Sequence, residues 1–83
     1  MDIIKLPYTS YLEVDVKDLS EFIQNELLEE KLPRDRWIDD IGDNIYYYLE
    51  GYFRNKDIKY DEDINEELLD LLCDSIYKYL KLL

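Results

Sequence analysis

Apolar residues that return every three or four positions leave this chain few folds to choose from. They fall at Trp37, Ile38, Ile41, Ile45, Tyr48, Leu49 and Tyr52, and again at Ile64, Leu68, Leu71, Leu72, Ile76, Tyr79 and Leu83. A helix turns once per about 3.6 residues, so each set forms a stripe that must be buried against a neighbour. A chain of 83 residues has room for a single domain, residues 1–83, with one core. Helices packed on one another are the expected solution.

Local signals place the ends of those helices. Asp18-Leu19-Ser20-Glu21 has the form of a capping box, an acceptor followed three residues later by Glu. It predicts a first helix from Leu19 to Leu32 that buries Leu19, Phe22, Ile23 and Leu27, leaves Leu28 and Leu32 off the stripe, and stops before Pro33. Asp35 predicts the start of a second helix reaching Asn55. Its glycines, Gly42 and Gly51, each cost about 1 kcal/mol relative to alanine, and Gly51 marks a frayed or bent last turn. Asp61, Glu62 and Asp63 open a third helix, with Asp63 and Glu66 as a second capping box, and Lys78 and Lys81 close it; both placements suit the helix dipole. Ahead of the helices, Tyr11-Leu12-Glu13-Val14-Asp15-Val16 alternates with period two and reads as a half-buried strand. Ile3–Leu6 can pair with it across a Pro7–Ser10 turn, and Ile58 and Tyr60 suggest a further edge strand. The expectation is a mainly α fold, a compact three-helix domain with a short N-terminal β-ribbon.

Composition then removes most chemistry. There is no histidine, hence neither the usual neutral-pH acid/base nor the commonest metal ligand. The lone Cys73 can form neither an internal disulfide nor a thiolate zinc site, and its apolar, acidic neighbours predict a core thiol rather than a nucleophile. Trp37 reads as a core anchor. Asp61-x-Asp63-x-Asn65 begins like a calcium loop, but Glu66 stands where that loop needs glycine and Leu72 where it needs a bidentate Glu. The two glycines form no phosphate loop, and Ser10, Ser20 and Ser75 have no histidine to activate them. Paired carboxylates for glycoside hydrolysis lack room for a sugar cleft beside a core. Neither an enzyme nor a cofactor or metal is expected. The start of the chain lacks signal-peptide form, and no apolar run approaches the roughly 20 residues of a membrane span, so a cytoplasmic protein without membrane contact is expected.

What remains is charge. Twenty-one acidic residues against 10 basic ones give a net −11, which argues against direct nucleic-acid binding. The basic residues cluster at Lys31-Arg34-Arg36 and Arg54-Lys56-Lys59, at helix junctions where they can pair with acids or complement helix C-termini. From Asp61 to Tyr77 there are seven acids and no base. Asp63, Glu66, Glu67, Asp70 and Asp74 fall within an arc of roughly 100°, and their i,i+4 pairs repel by a few tenths of a kcal/mol each. They space their charges at roughly 4 Å along the helix, close to the roughly 3.4 Å of phosphates along one DNA strand. On the non-core side of the second helix stand Asp39, Asp43 and Glu50 with Tyr46, Tyr47 and Phe53. Aromatics among carboxylates are a common make-up for recognition surfaces. The rival readings are an acidic row that only keeps the protein soluble, and Tyr46 and Tyr47 packed under the ribbon.

In size, acidity, lack of cofactor motifs and AT-rich-type composition, the chain resembles small phage-encoded inhibitors of host defence nucleases, the anti-CRISPR and DNA-mimic proteins. These share no single motif, so the resemblance assigns no residue roles. It implies a non-catalytic protein that binds and inhibits a basic, nucleic-acid-handling partner in the host cytoplasm. Asp63, Glu66, Glu67, Asp70 and Asp74, with Asp39, Asp43, Tyr46, Tyr47 and Glu50, are the candidate partner-binding residues. An antitoxin or immunity protein uses the same electrostatics. The alternative of another class is a structural or adaptor domain, in its simplest form a homodimer through Leu28, Leu32 or the tyrosines.

Overall fold

In a computed structural model, residues 3–6, 12–57 and 66–83 are described. The order is β1 (Ile3–Leu6), β2 (Leu12–Asp15), α1 (Val16–Glu29), a 3-10 turn (Arg34–Arg36), α2 (Trp37–Asp43), α3 (Ile45–Asn55) and α4 (Glu66–Tyr79). The fold is mainly helical with an N-terminal β-ribbon, as the periodicity predicts. β1 and β2 pair antiparallel, Ile4 opposite Val14 and Leu6 opposite Leu12. The radius of gyration is 12.2 Å. The expected Pro7–Ser10 turn, the Ile58/Tyr60 strand and the Asp61–Asp63 helix start lie outside the described residues.

Helix α1 starts three residues earlier than its predicted capping box. Asp15, still extended at φ −78° and ψ 111°, accepts hydrogen bonds from the Lys17 and Asp18 backbone N–H groups. The strand therefore runs directly into the helix through one carboxylate, which caps two otherwise unpartnered donors. Val16, Leu19, Ser20, Ile23 and Leu27 are buried, while Phe22 packs only partly against the core. The helix also ends before Leu32. Lys31 takes a left-handed φ of 57°, and the Leu32 and Lys31 N–H groups donate back to the Leu27 and Leu28 carbonyls. This double closure is a Schellman motif.

The expected second helix is two helices. Asn44 leaves helical geometry at φ −119° and ψ 22°, and its side-chain amide donates to the Asp40 carbonyl at 3.0 Å. Asn competes well for backbone partners, so one residue both closes α2 and opens α3. Asp35 is no helix cap but lies within the 3-10 turn. Trp37, Ile41, Ile45, Tyr48, Leu49 and Tyr52 are buried as expected. Phe53, expected on the outer side, is fully buried; it follows Ile45 and Leu49 at four-residue steps and completes their face. Gly51 sits inside α3, four residues before its end, where the Phe22 ring comes close. A Cβ there would lie 3.2 Å from Phe22 Cζ.

Helix α4 buries a different arc of its apolar surface than the stripe predicts. Leu69, Leu72, Cys73, Ile76 and Leu80 are inside, whereas Leu71, Tyr79 and Leu83 are exposed. Apolar residues surround more than half of this helix, so packing against α1 and α2 decides which side is covered. Ile64 is outside the described residues. Arg34 ties the bundle together: its guanidinium donates to the Leu80 carbonyl and lies 5.0 Å from the Trp37 ring centroid. A cation thus complements the C-terminal end of α4, the role expected for that cluster. Lys81 ends this helix as Lys31 ends α1, at φ 59°.

Candidate functional site

The turn from α2 into the start of α3 faces α4 across an open groove of about 580 Å³. Asp43 and Tyr46 line one wall, and Glu66, Asp70 and Asp74 line the other. These residues belong to two separate sequence predictions, and the fold brings them face to face. Among the described residues, no ion pair involves Asp43, Glu66, Asp70 or Asp74. Among the described residues, the lining includes no lysine or arginine.

Ile45, Leu69, Cys73 and Tyr77 complete the groove. Tyr77 crosses beneath it and donates its hydroxyl to the Ile38 carbonyl at 3.1 Å. Gly42 permits that approach: a Cβ at position 42 would stand 3.1 Å from the Tyr77 oxygen. The proton on Tyr77 is held tightly, its pKa pushed up to about 12 chiefly by burial and then by Cys73 and the charges of Asp74 and Asp39. Burial, reinforced by Asp70 and Asp74, also raises the Cys73 thiol, against a hydrogen bond with Tyr77 that lowers it. A buried, protonated thiol is a poor nucleophile. Its place is in the core, as its neighbours predict.

The remaining predicted residues are dispersed. Glu67 is exposed on α4 but does not line the groove. Asp39 lines a shallow depression with Leu32, Arg36, Asp40 and Asp43. Tyr47 and Glu50 line a separate hollow shared with α1, which does not include Tyr46. Tyr46 and Tyr47 are both exposed rather than packed beneath the ribbon, Tyr47 at 64%. Glu50 is already paired with Arg54 at 2.5 Å. Asp63 lies outside the described residues. Sequence reasoning missed Tyr77 and Cys73 as groove residues, because spacing along one helix does not reveal which second helix will stand opposite it.

Beneath α3, Asp40 accepts hydrogen bonds from the Tyr48 hydroxyl and the Asn44 amide. Burial and then this Asp40 contact raise the Tyr48 pKa. That carboxylate is committed to structure, unlike those in the groove. No group of three or more metal-ligating side chains is found among the described residues, and no helix among them is long and apolar enough to cross a membrane. No protein-family model matches the chain, and no curated protein or solved structure matches it significantly.

Proposed function

We propose that this chain is a non-catalytic binding protein that seats a basic surface of a nucleic-acid-handling protein in the α2/α3–α4 groove and thereby blocks it. The observation that carries the reading is the confrontation of Asp43 with Glu66, Asp70 and Asp74 across one groove that has no lining base among the described residues. Like charges held on both walls repel, and a cation between them relieves that repulsion. Glu66 to Asp74 covers about 12 Å of helix at roughly 1.5 Å per residue, long enough to stand in for several phosphates. Tyr46 adds apolar area with a hydroxyl at the lip, the amphipathic character common at binding hot spots. The likeness to small acidic phage inhibitors supports a host defence nuclease as the partner and the cytoplasm as the place of action.

The test couples capture with electrostatics. The tagged chain should retain a nucleic-acid-binding protein from a lysate, and duplex DNA or RNA should compete it off. Retention should fall steeply with salt, since the Debye length shrinks from about 10 Å at 0.1 M to about 3 Å at 1 M. Asp70→Lys with Asp74→Lys should abolish retention while leaving the helical circular dichroism unchanged. Retention that survives both salt and charge reversal refutes the groove as the binding face. It would favour the apolar adaptor reading, for which Leu28 and Leu71 are exposed at 57% and 54%.

A further inference from the structure

Between α1 and α3 lies a second hollow, about 340 Å³, bounded by Phe22 and Glu26 of α1 and by Tyr47, Glu50, Gly51 and Arg54 of α3. Its volume is near the lower end of the roughly 300–1,000 Å³ of small-ligand pockets, a size suited to one side chain. Gly51 leaves a gap in the α3 surface between Tyr47 and Arg54, one turn to either side. Among the described residues, Tyr47 has one ring contact, edge-on to Tyr48 at 5.6 Å, and no cation over it. Other rings among the described residues do carry a cation, Arg34 over Trp37 at 5.0 Å and Lys56 over Tyr52 at 5.1 Å. Glu50 is neutralised by Arg54, whereas Glu26 has no ion pair among the described residues. The hollow therefore offers one uncompensated carboxylate beside an open aromatic face.

We propose that this hollow receives a single arginine side chain of the basic partner, its guanidinium stacked on Tyr47 and paired with Glu26. The proposal rests on the partner being basic and extends its footprint across α3, from the groove beside Tyr46 to the hollow beside Tyr47. Arginine fits better than lysine, because its planar fork stacks on a ring and matches a carboxylate at once, while an ammonium is a strongly hydrated point charge.

N-acetyl-arginine-methylamide is the probe, and its neutral isostere N-acetyl-citrulline-methylamide the control, each titrated into the isotopically labelled full chain while backbone amide shifts are followed. The arginine probe should shift Glu26, Tyr47 and Gly51 saturably, and citrulline should not. Tyr47→Leu and Glu26→Gln should each weaken binding by about three- to fivefold. Arg54→Ala should not weaken it, because Arg54 pairs with Glu50 rather than Glu26 and its loss frees a second carboxylate in the hollow. Equal shifts from citrulline, or an arginine response indifferent to Glu26→Gln, overturn the proposal. Shifts confined to Asp70 and Asp74 overturn it while leaving the groove reading intact. A response in the hollow alongside partner capture that ignores groove charge reversal sinks the groove reading and keeps this one.

Discussion

Ser20 is fully buried in α1, and its hydroxyl has no hydrogen-bond partner among the described residues. A hydroxyl removed from water without a replacement bond is costly, so Ser20→Ala should stabilise the chain by about 1 kcal/mol in urea denaturation, and destabilisation would show that the hydroxyl is in fact satisfied. Lys31 is a second local conflict. It ends α1 in the left-handed region at φ 57°, where a Cβ costs roughly 1 kcal/mol. Glycine removes that cost but gains freedom in the unfolded chain, leaving Lys31→Gly more stable by about 0.5 kcal/mol. Asp57 occupies the same region at φ 56°, yet Asp→Gly there should gain less, since Asp tolerates this conformation better than lysine does. Paired melting curves of the two variants test that ranking.

Helices α1 and α3 meet where Phe22 lies over Gly51, and their approach sets the depth of the hollow. Alanine at position 51 gains helix propensity of about 1 kcal/mol, but its Cβ would stand 3.2 Å from the Phe22 ring. Gly51→Ala alone should therefore be neutral or destabilising, and in a Phe22→Leu background it should stabilise. The double-mutant cycle reads the coupling directly, and additive effects would mean that the two helices do not constrain each other there. This contact also shows what the sequence could and could not convey. Helix existence, the ribbon and the buried Trp37–Tyr52 stripe were legible, because they follow from periodicities internal to a segment. The reason for Gly51, the burial of Phe53 and the arc of α4 that is covered depend on which neighbour packs on each face. The helix break at Asn44 has a local cause, the competition of its side chain for backbone partners, although the apolar stripe runs past it without interruption. The acidic residues of α4 were legible as a row, whereas their confrontation with Asp43 required the turn between α2 and α3.

At the scale of the whole molecule, the groups with raised pKa values among the described residues lie in or against the core, and they are acids that are neutral when protonated. Tyr77 is pushed up to about 12 from 10.0. Tyr48 and Tyr52 are raised too, chiefly by burial, the latter against an opposing contribution from Lys56. Cys73 is raised from 9.0. Each holds its proton more tightly folded than unfolded. Below the unfolded values both states are protonated, and this contribution to stability is fully present. Above them the unfolded chain loses protons first, binds fewer than the native state, and is favoured as pH climbs. Stability should thus begin to fall above about pH 9 and drop further through about pH 12. Urea midpoints measured across that range, with tyrosinate absorbance recorded in parallel, test the claim. The part of the tyrosinate absorbance that Tyr77→Phe removes should form together with the loss of helical signal, and that variant should reduce the slope between about pH 10 and pH 12. If the absorbance that Tyr77→Phe removes forms near about pH 10 while the helices persist, Tyr77 is not held as the core packing places it, and the floor of the acidic groove would then be open rather than closed by the Tyr77–Ile38 bond.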